Sequence, residues 1–243
     1  MQSADRALAI LSAFSAARPQ VGVSELAVEL GMHKSTVSRL LAVLQARGLV
    51  RRDGDRFSPG PELARLGALA VRSLSLSQVA REPLERLAEE TGETVNLAVR
   101  QGDQALNVYQ VQTAHVVGVT DWTGRGAPLH ATANGKVLLA FRDGSLPNEL
   151  PALTPSTITD REALRAELDL VARRGFATAV EELELGLHAV AAPVFDGFGS
   201  CVAAVSVSGP SYRLPRKRLE AVGEACVAGA DEISACLGYR KAA

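Results

Sequence analysis

Residues 23–44 restrict the possible folds of this chain more than any other stretch. In Val23-Ser24-Glu25-Leu26-Ala27-Val28-Glu29-Leu30-Gly31, the apolar positions Leu26, Ala27 and Leu30 share one helical face. Ser24 is the expected N-cap, and Gly31 supplies the left-handed residue that ends the helix. Only Met32 and His33 intervene before helical periodicity resumes at Val37, Leu40, Leu41 and Leu44. Two short amphipathic helices joined by a glycine turn are a helix-turn-helix. In that geometry the second helix offers its N-terminal residues to the major groove of duplex DNA, which singles out Lys34, Ser35, Thr36, Ser38 and Arg39. A second reading stays open for this set, with Ser35 and Thr36 as helix caps and Lys34 and Arg39 as solvated charges.

The residues that follow favour the first reading. Residues 48–58 make two short strand-like runs around Asp53-Gly54, the pattern of a hairpin and here of a wing. Arg51, Arg52 and Arg56 flank its tip, where they can grip the backbone or enter the minor groove. Ahead of the pair, residues 4–17 read as a further helix with Ala7, Leu8, Leu11 and Phe14 on one side. Charge follows the same division. Residues 1–75 carry 10 Lys and Arg against 6 Asp and Glu, and residues 76–243 carry 16 against 21, so a chain of net charge -1 has a basic front and an acidic back.

The remainder mixes helices and strands. Helices are expected at 75–90, interrupted by Pro83, and at 132–141, 160–174 and 215–237; strands are expected at 94–100, 105–111, 116–121, 176–180, 188–195 and 201–208. Antiparallel hairpins with helices gathered to one side make an α+β, sensor-like domain. No apolar run approaches the roughly 20 residues of a membrane span, so a cytoplasmic protein without a membrane partner is expected. Cys201, Cys226 and Cys236 lie within apolar patterns and read as reduced core thiols.

Two local chemistries point to a small ligand. The backbone N–H groups that open the helix after Thr132 favour a carboxylate, assisted by the Thr132 or Asn134 side chain, although Thr132 reads equally as a plain N-cap. Ser206 and Ser208, two apart on a strand, turn their hydroxyls to the same side. Asn134-Gly135-Lys136 is not a phosphate-binding loop, because His130 stands where the earlier glycine is required and Val137 where a hydroxyl is. An enzyme reading has little to stand on: there is no G-x-S-x-G, no H-E-x-x-H, and His130 and His188 each read as structural hydrogen-bonders. No metal site and no cofactor are expected, since no two cysteines have C-x-x-C spacing.

The chain as a whole resembles the IclR family of bacterial transcription regulators. In the front third the resemblance rests on Arg6-Ala7-Leu8, Leu30-Gly31, Lys34-Ser35-Thr36-Val37, Gly48-Leu49 and Phe57 with Pro59-Gly60. Behind it rests on Gly124-Arg125-Gly126, Pro128-Leu129-His130-Ala131-Thr132-Ala133, Gly135-Lys136, Glu181-Glu182, Ala191-Ala192-Pro193-Val194-Phe195 and Ser206-Val207-Ser208-Gly209-Pro210. It implies an α+β chain: a winged helix-turn-helix at 1–61, a linker helix at 62–75, and a GAF-like effector-binding domain at 76–243. The implied function is sequence-specific control of transcription, with affinity for a pseudo-palindromic double-stranded DNA operator modulated by a small organic or aromatic acid, in a homodimer or tetramer. Effector contacts carried over by motif fall on Val116, Val119, Ala127, Ala133, Asn134, Ala179, Leu187, Ala189, Ser206 and Ser208. Ala189 replaces a frequent cysteine and Ala179 an occasional acidic residue, which implies a less polar pocket. Trp122 and Arg125 flank the pocket loop as lid or core residue and as structural hydrogen-bonder.

Overall fold

The computed structural model describes residues 2–15, 18–73, 76–112, 121–142 and 145–241, and the chain divides into two compact units, Met1–Ser75 and Leu76–Ala243. In the first unit, α1 (Gln2–Ser12), α2 (Val23–Glu29) and α3 (Lys34–Ala46) precede a sheet of β1 (Val21–Gly22), β3 (Arg56–Pro59) and β2 (Val50–Asp53), in that spatial order, and α4 (Pro61–Ser73) follows. The turn between α2 and α3 is closed by two backbone bonds: Met32 N–H donates to the Ala27 carbonyl at 2.9 Å and Gly31 N–H to Val28 at 3.3 Å, with Gly31 at φ +60°. This nested pair is how a left-handed residue satisfies the last carbonyls of a helix. The same arrangement ends α3 at Gly48, whose N–H donates to Gln45 while Leu49 donates to Leu44.

Four expectations in this unit are corrected. Gly22, not Ser24, caps α2, because Val21 and Gly22 are held in a strand against Phe57 and Arg56, and the Glu25 carboxylate accepts from the Gly22 N–H. On α1, Leu8 faces solvent and Ile10 is the fully buried residue, with Ala7, Leu11 and Phe14 packed beside it. The helix also stops at Ser12, several residues sooner than the expected 4–17. In the wing, Asp53 pairs with Arg56, so Gly54 and Asp55 are the two loop residues.

The second unit is built on a six-stranded antiparallel sheet of order β6-β5-β4-β9-β8-β7, from β4 (Thr94–Gln101), β5 (Gln104–Val111), β6 (Gly126–Pro128), β7 (Ala177–Val180), β8 (Leu187–Phe195) and β9 (Cys201–Pro210). Side-chain alternation assigns its faces. Val95 and Leu97, Val190, Ala192 and Val194, and Val205 and Val207 form one core with α5 (Leu76–Thr91) and α8 (Leu219–Cys236). The intervening Ala98, Ala191 and Ala204 form a second core with α6 (Ala133–Ala140) and α7 (Arg161–Arg174). Helices therefore cover both faces, not one, because the sheet is apolar on both sides. Helix α5 runs through Pro83 without ending. The strand expected at 116–121 falls almost wholly outside the described residues, and β6 was not foreseen, being three residues that contain a glycine and a proline.

Candidate functional site

The first unit carries a polar, exposed helix start. Lys34, Ser35, Ser38 and Arg39 are exposed and Thr36 half-buried, while Val37, Leu41 and Leu44 on the opposite side are buried. The N-cap of α3 is His33, with no side-chain bond, so neither Ser35 nor Thr36 caps the helix. The arginines of the wing differ from one another. Arg51 Nε donates across the hairpin to Ser58 Oγ at 2.9 Å, and Arg52 Nε donates to the Gly54 carbonyl at 2.9 Å, which lays both stems along the hairpin with much of each side chain exposed. Arg56 is drawn inward, donating to the Gln20 carbonyl at 3.1 Å and pairing with Glu25 at 3.0 Å. Arg18 joins the same carboxylate at 3.2 Å. Bonds from Arg18 first, then from Arg56 and the Gly22 N–H, hold the Glu25 carboxyl below its ordinary range.

The second unit contains a cavity on the α6 side of the sheet. It exists because small residues stand where larger ones would close it: Ala127 on β6, Ala131 in a short 3-10 turn, Ala133 on α6, Ala179 on β7 and Ala189 on β8. The strands contribute its polar floor. Asn96 of β4 lies directly across from Ser206 of β9, and Ala189 from Ser208, so all four project to the same side. Asn134 reaches down from the first turn of α6 and donates to Ser206 Oγ at 2.9 Å, while Asn96 donates to Ser208 Oγ at 3.3 Å. Thr132 is fully engaged as the N-cap of α6, accepting from Gly135 N–H and donating to the Pro128 carbonyl, both at 3.1 Å. Trp122, Leu183 and Leu187 complete much of the wall.

Ala127, Ala133, Asn134, Ala179, Leu187, Ala189, Ser206 and Ser208 all line this one cavity, and Val116 and Val119 lie outside the described residues. Asn96, Asn107 and Leu183 also line it and were not foreseen. The signal for Asn96 was present, a lone amide inside the apolar run Thr94-Val95-Asn96-Leu97-Ala98. Arg125 does not line the cavity; its backbone carbonyl accepts from the Asn107 amide and N–H.

Lys136, one turn into α6, supports the pocket from behind. Its ammonium is buried and donates to Glu182 Oε1 at 2.7 Å, the Thr178 carbonyl at 3.0 Å and Glu167 Oε1 at 3.3 Å, so three hydrogens meet three acceptors. These bonds tie α6 to β7 and to the segment carrying Leu183, all parts of the pocket wall. Burial raises the Glu182 carboxyl above its ordinary value, and Lys136 acts against that rise. The 181–186 turn is further fixed by Thr157 Oγ1 donating to the Glu182 carbonyl at 2.7 Å and by Gly186 N–H donating to Glu181 at 2.9 Å.

The other candidate groups are occupied elsewhere. His130 meets the Pro151 carbonyl at 3.0 Å and His188 the Leu214 carbonyl at 2.8 Å. Cys201 and Cys226 are buried, and desolvation pushes both thiols up to about 12. Cys236 is exposed at the end of α8, so only two of the three cysteines are core thiols. Among the described residues no group of three or more His, Cys, Asp or Glu side chains is placed to hold a metal ion, and no helix is long and apolar enough to cross a membrane.

Comparison with known proteins covers both units. The IclR helix-turn-helix domain model matches residues 3–54, and the model for the C-terminal domain of bacterial IclR transcriptional regulators matches residues 68–235. The HTH-type transcriptional regulator BhcR of Paracoccus denitrificans (strain Pd 1222) is 37% identical over 249 residues, covering 99% of this chain and 89% of BhcR. The HTH-type transcriptional repressor AllR of Escherichia coli (strain K12) is 33% identical over 247 residues, covering 98% of this chain and 91% of AllR. A crystal structure described as an IclR transcriptional regulator from Silicibacter sp. TM1040 matches with a TM-score of 0.90 and 30% identity, covering 99% of this chain and 97% of that one.

Proposed function

Because the chain belongs to the IclR family of bacterial transcriptional regulators, we propose a division of labour among its residues. The chain is a DNA-binding transcription regulator with a C-terminal effector-binding domain, and not an enzyme. In the proposal, residues 1–61 bind the operator, residues 62–75 connect, and residues 76–243 form a GAF-like sensing domain. Lys34, Ser35, Thr36, Ser38 and Arg39 face the major groove from α3. Arg51 and Arg52 grip the backbone from the wing, and Arg56 sets the base of the wing through Glu25.

The effector is a small organic acid held between the first turn of α6 and the Ser206–Ser208 floor. One observation carries this reading: eight residues from five segments of the chain converge on a single cavity that opens at a helix N-terminus, where N–H groups and the helix dipole favour an anion. A homodimer, or a dimer of dimers, presents two recognition helices to half-sites about 34–36 Å apart, since one such helix reads only a few base pairs. Its target is a pseudo-palindromic double-stranded DNA operator, and the cytoplasm is its place of action. Anisotropy titration of a labelled fragment from upstream of the chain's own gene, against a random fragment of equal length at physiological salt, tests the proposal. A preference of at least about a thousandfold is expected; equal affinities contradict sequence-specific binding.

A further inference from the structure

The described walls of the pocket carry no charged side chain and yet leave polar atoms unsatisfied. Among the described residues that line it there is no Asp, Glu, Lys, Arg or His. Asn96 and Asn134 are only 5% and 8% exposed, and each donates an amide hydrogen to a serine. The Oδ1 atom of each is buried and has no hydrogen-bond partner. Buried amide oxygens are nearly always paired, and a native exception asks for a reason. Here both orphans belong to side chains that line the same cavity, one from the sheet and one from the helix above it. Because Ser206 and Ser208 already accept from these amides, each hydroxyl still has its own proton to donate.

The floor therefore offers two acceptors and two donors. A carboxylate, which only accepts, answers the serine hydroxyls and the positive N-terminal end of α6. It leaves both amide oxygens stranded, as does an aromatic acid without a hydroxyl. We infer that the effector is a hydroxylated carboxylic acid, whose hydroxyl hydrogens pair with Asn96 Oδ1 and Asn134 Oδ1 while its carboxylate takes the serine donors at the positive end of α6. This rests on the effector reading above and narrows it. Its hydroxyls, more than its charge, set the selectivity, because a site built to hydrogen-bond a ligand hydroxyl rejects the analogue that leaves its buried partner unpaired.

Calorimetric titration of the full chain with two series of acids tests this: glycerate, lactate and propanoate at three carbons, and gluconate and hexanoate at six, with benzoate and glycerol alongside. Kd is expected to rise about tenfold for each of the two hydroxyls removed from glycerate to lactate to propanoate, and about a hundredfold from gluconate to hexanoate, since only two hydroxyls meet the amide oxygens; glycerol is expected to bind more weakly than glycerate. Asn96→Leu and Asn134→Leu should each shrink the gap between glycerate and propanoate, with a melting curve of the free variant checking that it is folded. Propanoate, hexanoate or benzoate binding as tightly as the hydroxylated acids overturns the inference and leaves the acid effector standing, as does a gap unchanged in both folded variants. Glycerol binding as tightly as glycerate overturns the carboxylate half. If none of the acids binds at millimolar concentration, the effector reading and the inference fail together.

Discussion

Replacing Lys136 with methionine removes one ammonium while keeping nearly the same side-chain length, so the effect isolates charge from packing. Three acceptors lose their donor: Glu182 Oε1, Glu167 Oε1 and the Thr178 carbonyl. Glu167 is partly exposed and recovers water. The Thr178 carbonyl, left unmade, costs about 1–3 kcal/mol. Glu182 is buried and takes up a proton instead; at pH 7, neutralising a carboxyl of ordinary pKa costs at most about 3.7 kcal/mol, at about 1.36 kcal/mol per pH unit. Part of this is returned because the lysine no longer has to be desolvated, and the net falls near the about 3–5 kcal/mol typical of breaking a buried pair from one side. For a chain of this size that lowers the melting temperature by about 6–20 °C. The pH dependence has a definite sign. Burial already raises the Glu182 carboxyl, and losing Lys136 raises it further. A raised folded-state value stabilises fully below the ordinary carboxylate value and progressively less as pH climbs through the folded value. The variant's deficit against the parent is thus largest near pH 7.5 and shrinks toward pH 5. Trp122 is the chain's single tryptophan and belongs to the second unit, so its emission during heating of the full chain follows this unit alone. Adding Glu182→Gln should recover much of the loss. A melting point within about 2 °C of the parent, or a deficit that grows on acidification, refutes the reasoning.

Arg39→Ala and Arg51→Ala should each weaken DNA binding almost uniformly across sequences and reduce the slope of log K against log salt by about 1, as expected for lost phosphate contacts; unchanged binding in both points instead to a protein-interaction module. Gly135→Ala places a Cβ against the backbone carbonyl of Leu129, which cannot retreat as a side-chain end can. A destabilisation of about 1–3 kcal/mol or more, read from the Trp122 melt, is expected from such overpacking. A thiol reagent at pH 8 should titrate one thiol per folded chain, Cys236, and three after unfolding, because the buried Cys201 and Cys226 thiols are held at about 12 and remain protonated. Two fast-reacting thiols in the folded chain would contradict the burial of one of them.

The helix-turn-helix was legible because its determinants are local: Gly31 must be left-handed, and the apolar spacing on either side names the buried face. The errors came from contacts distant in sequence. Ser24 looked like a cap until β1 paired with the wing, 36 residues away at Val21 and Phe57, and delivered Gly22 to that position instead. Both-sided helix packing on the sheet could not be read from strands whose partners are 110 residues apart, as are Asn96 and Ser206. The pocket was partly visible, since Thr132, Asn134, Ser206 and Ser208 suggested polar chemistry from spacing alone, whereas its alanine walls entered only through family resemblance. A void is defined by what surrounds it, and five alanines scattered from 127 to 189 carry no local signal. Lys136 was noticed only as a failed phosphate-loop lysine, although a lysine amid Val137, Leu138 and Leu139 already indicated a buried cation in need of partners.

The central claim is that occupancy of the second unit's pocket changes the first unit's affinity for DNA. Anisotropy titrations of the upstream fragment, with and without a saturating amount of the acid that binds most tightly, measure this directly. The account predicts a change in Kd of about 5- to 150-fold, corresponding to a coupling of about 1–3 kcal/mol, and an equal change in the acid's affinity when saturating DNA is present. A DNA affinity identical with and without the bound acid would contradict it.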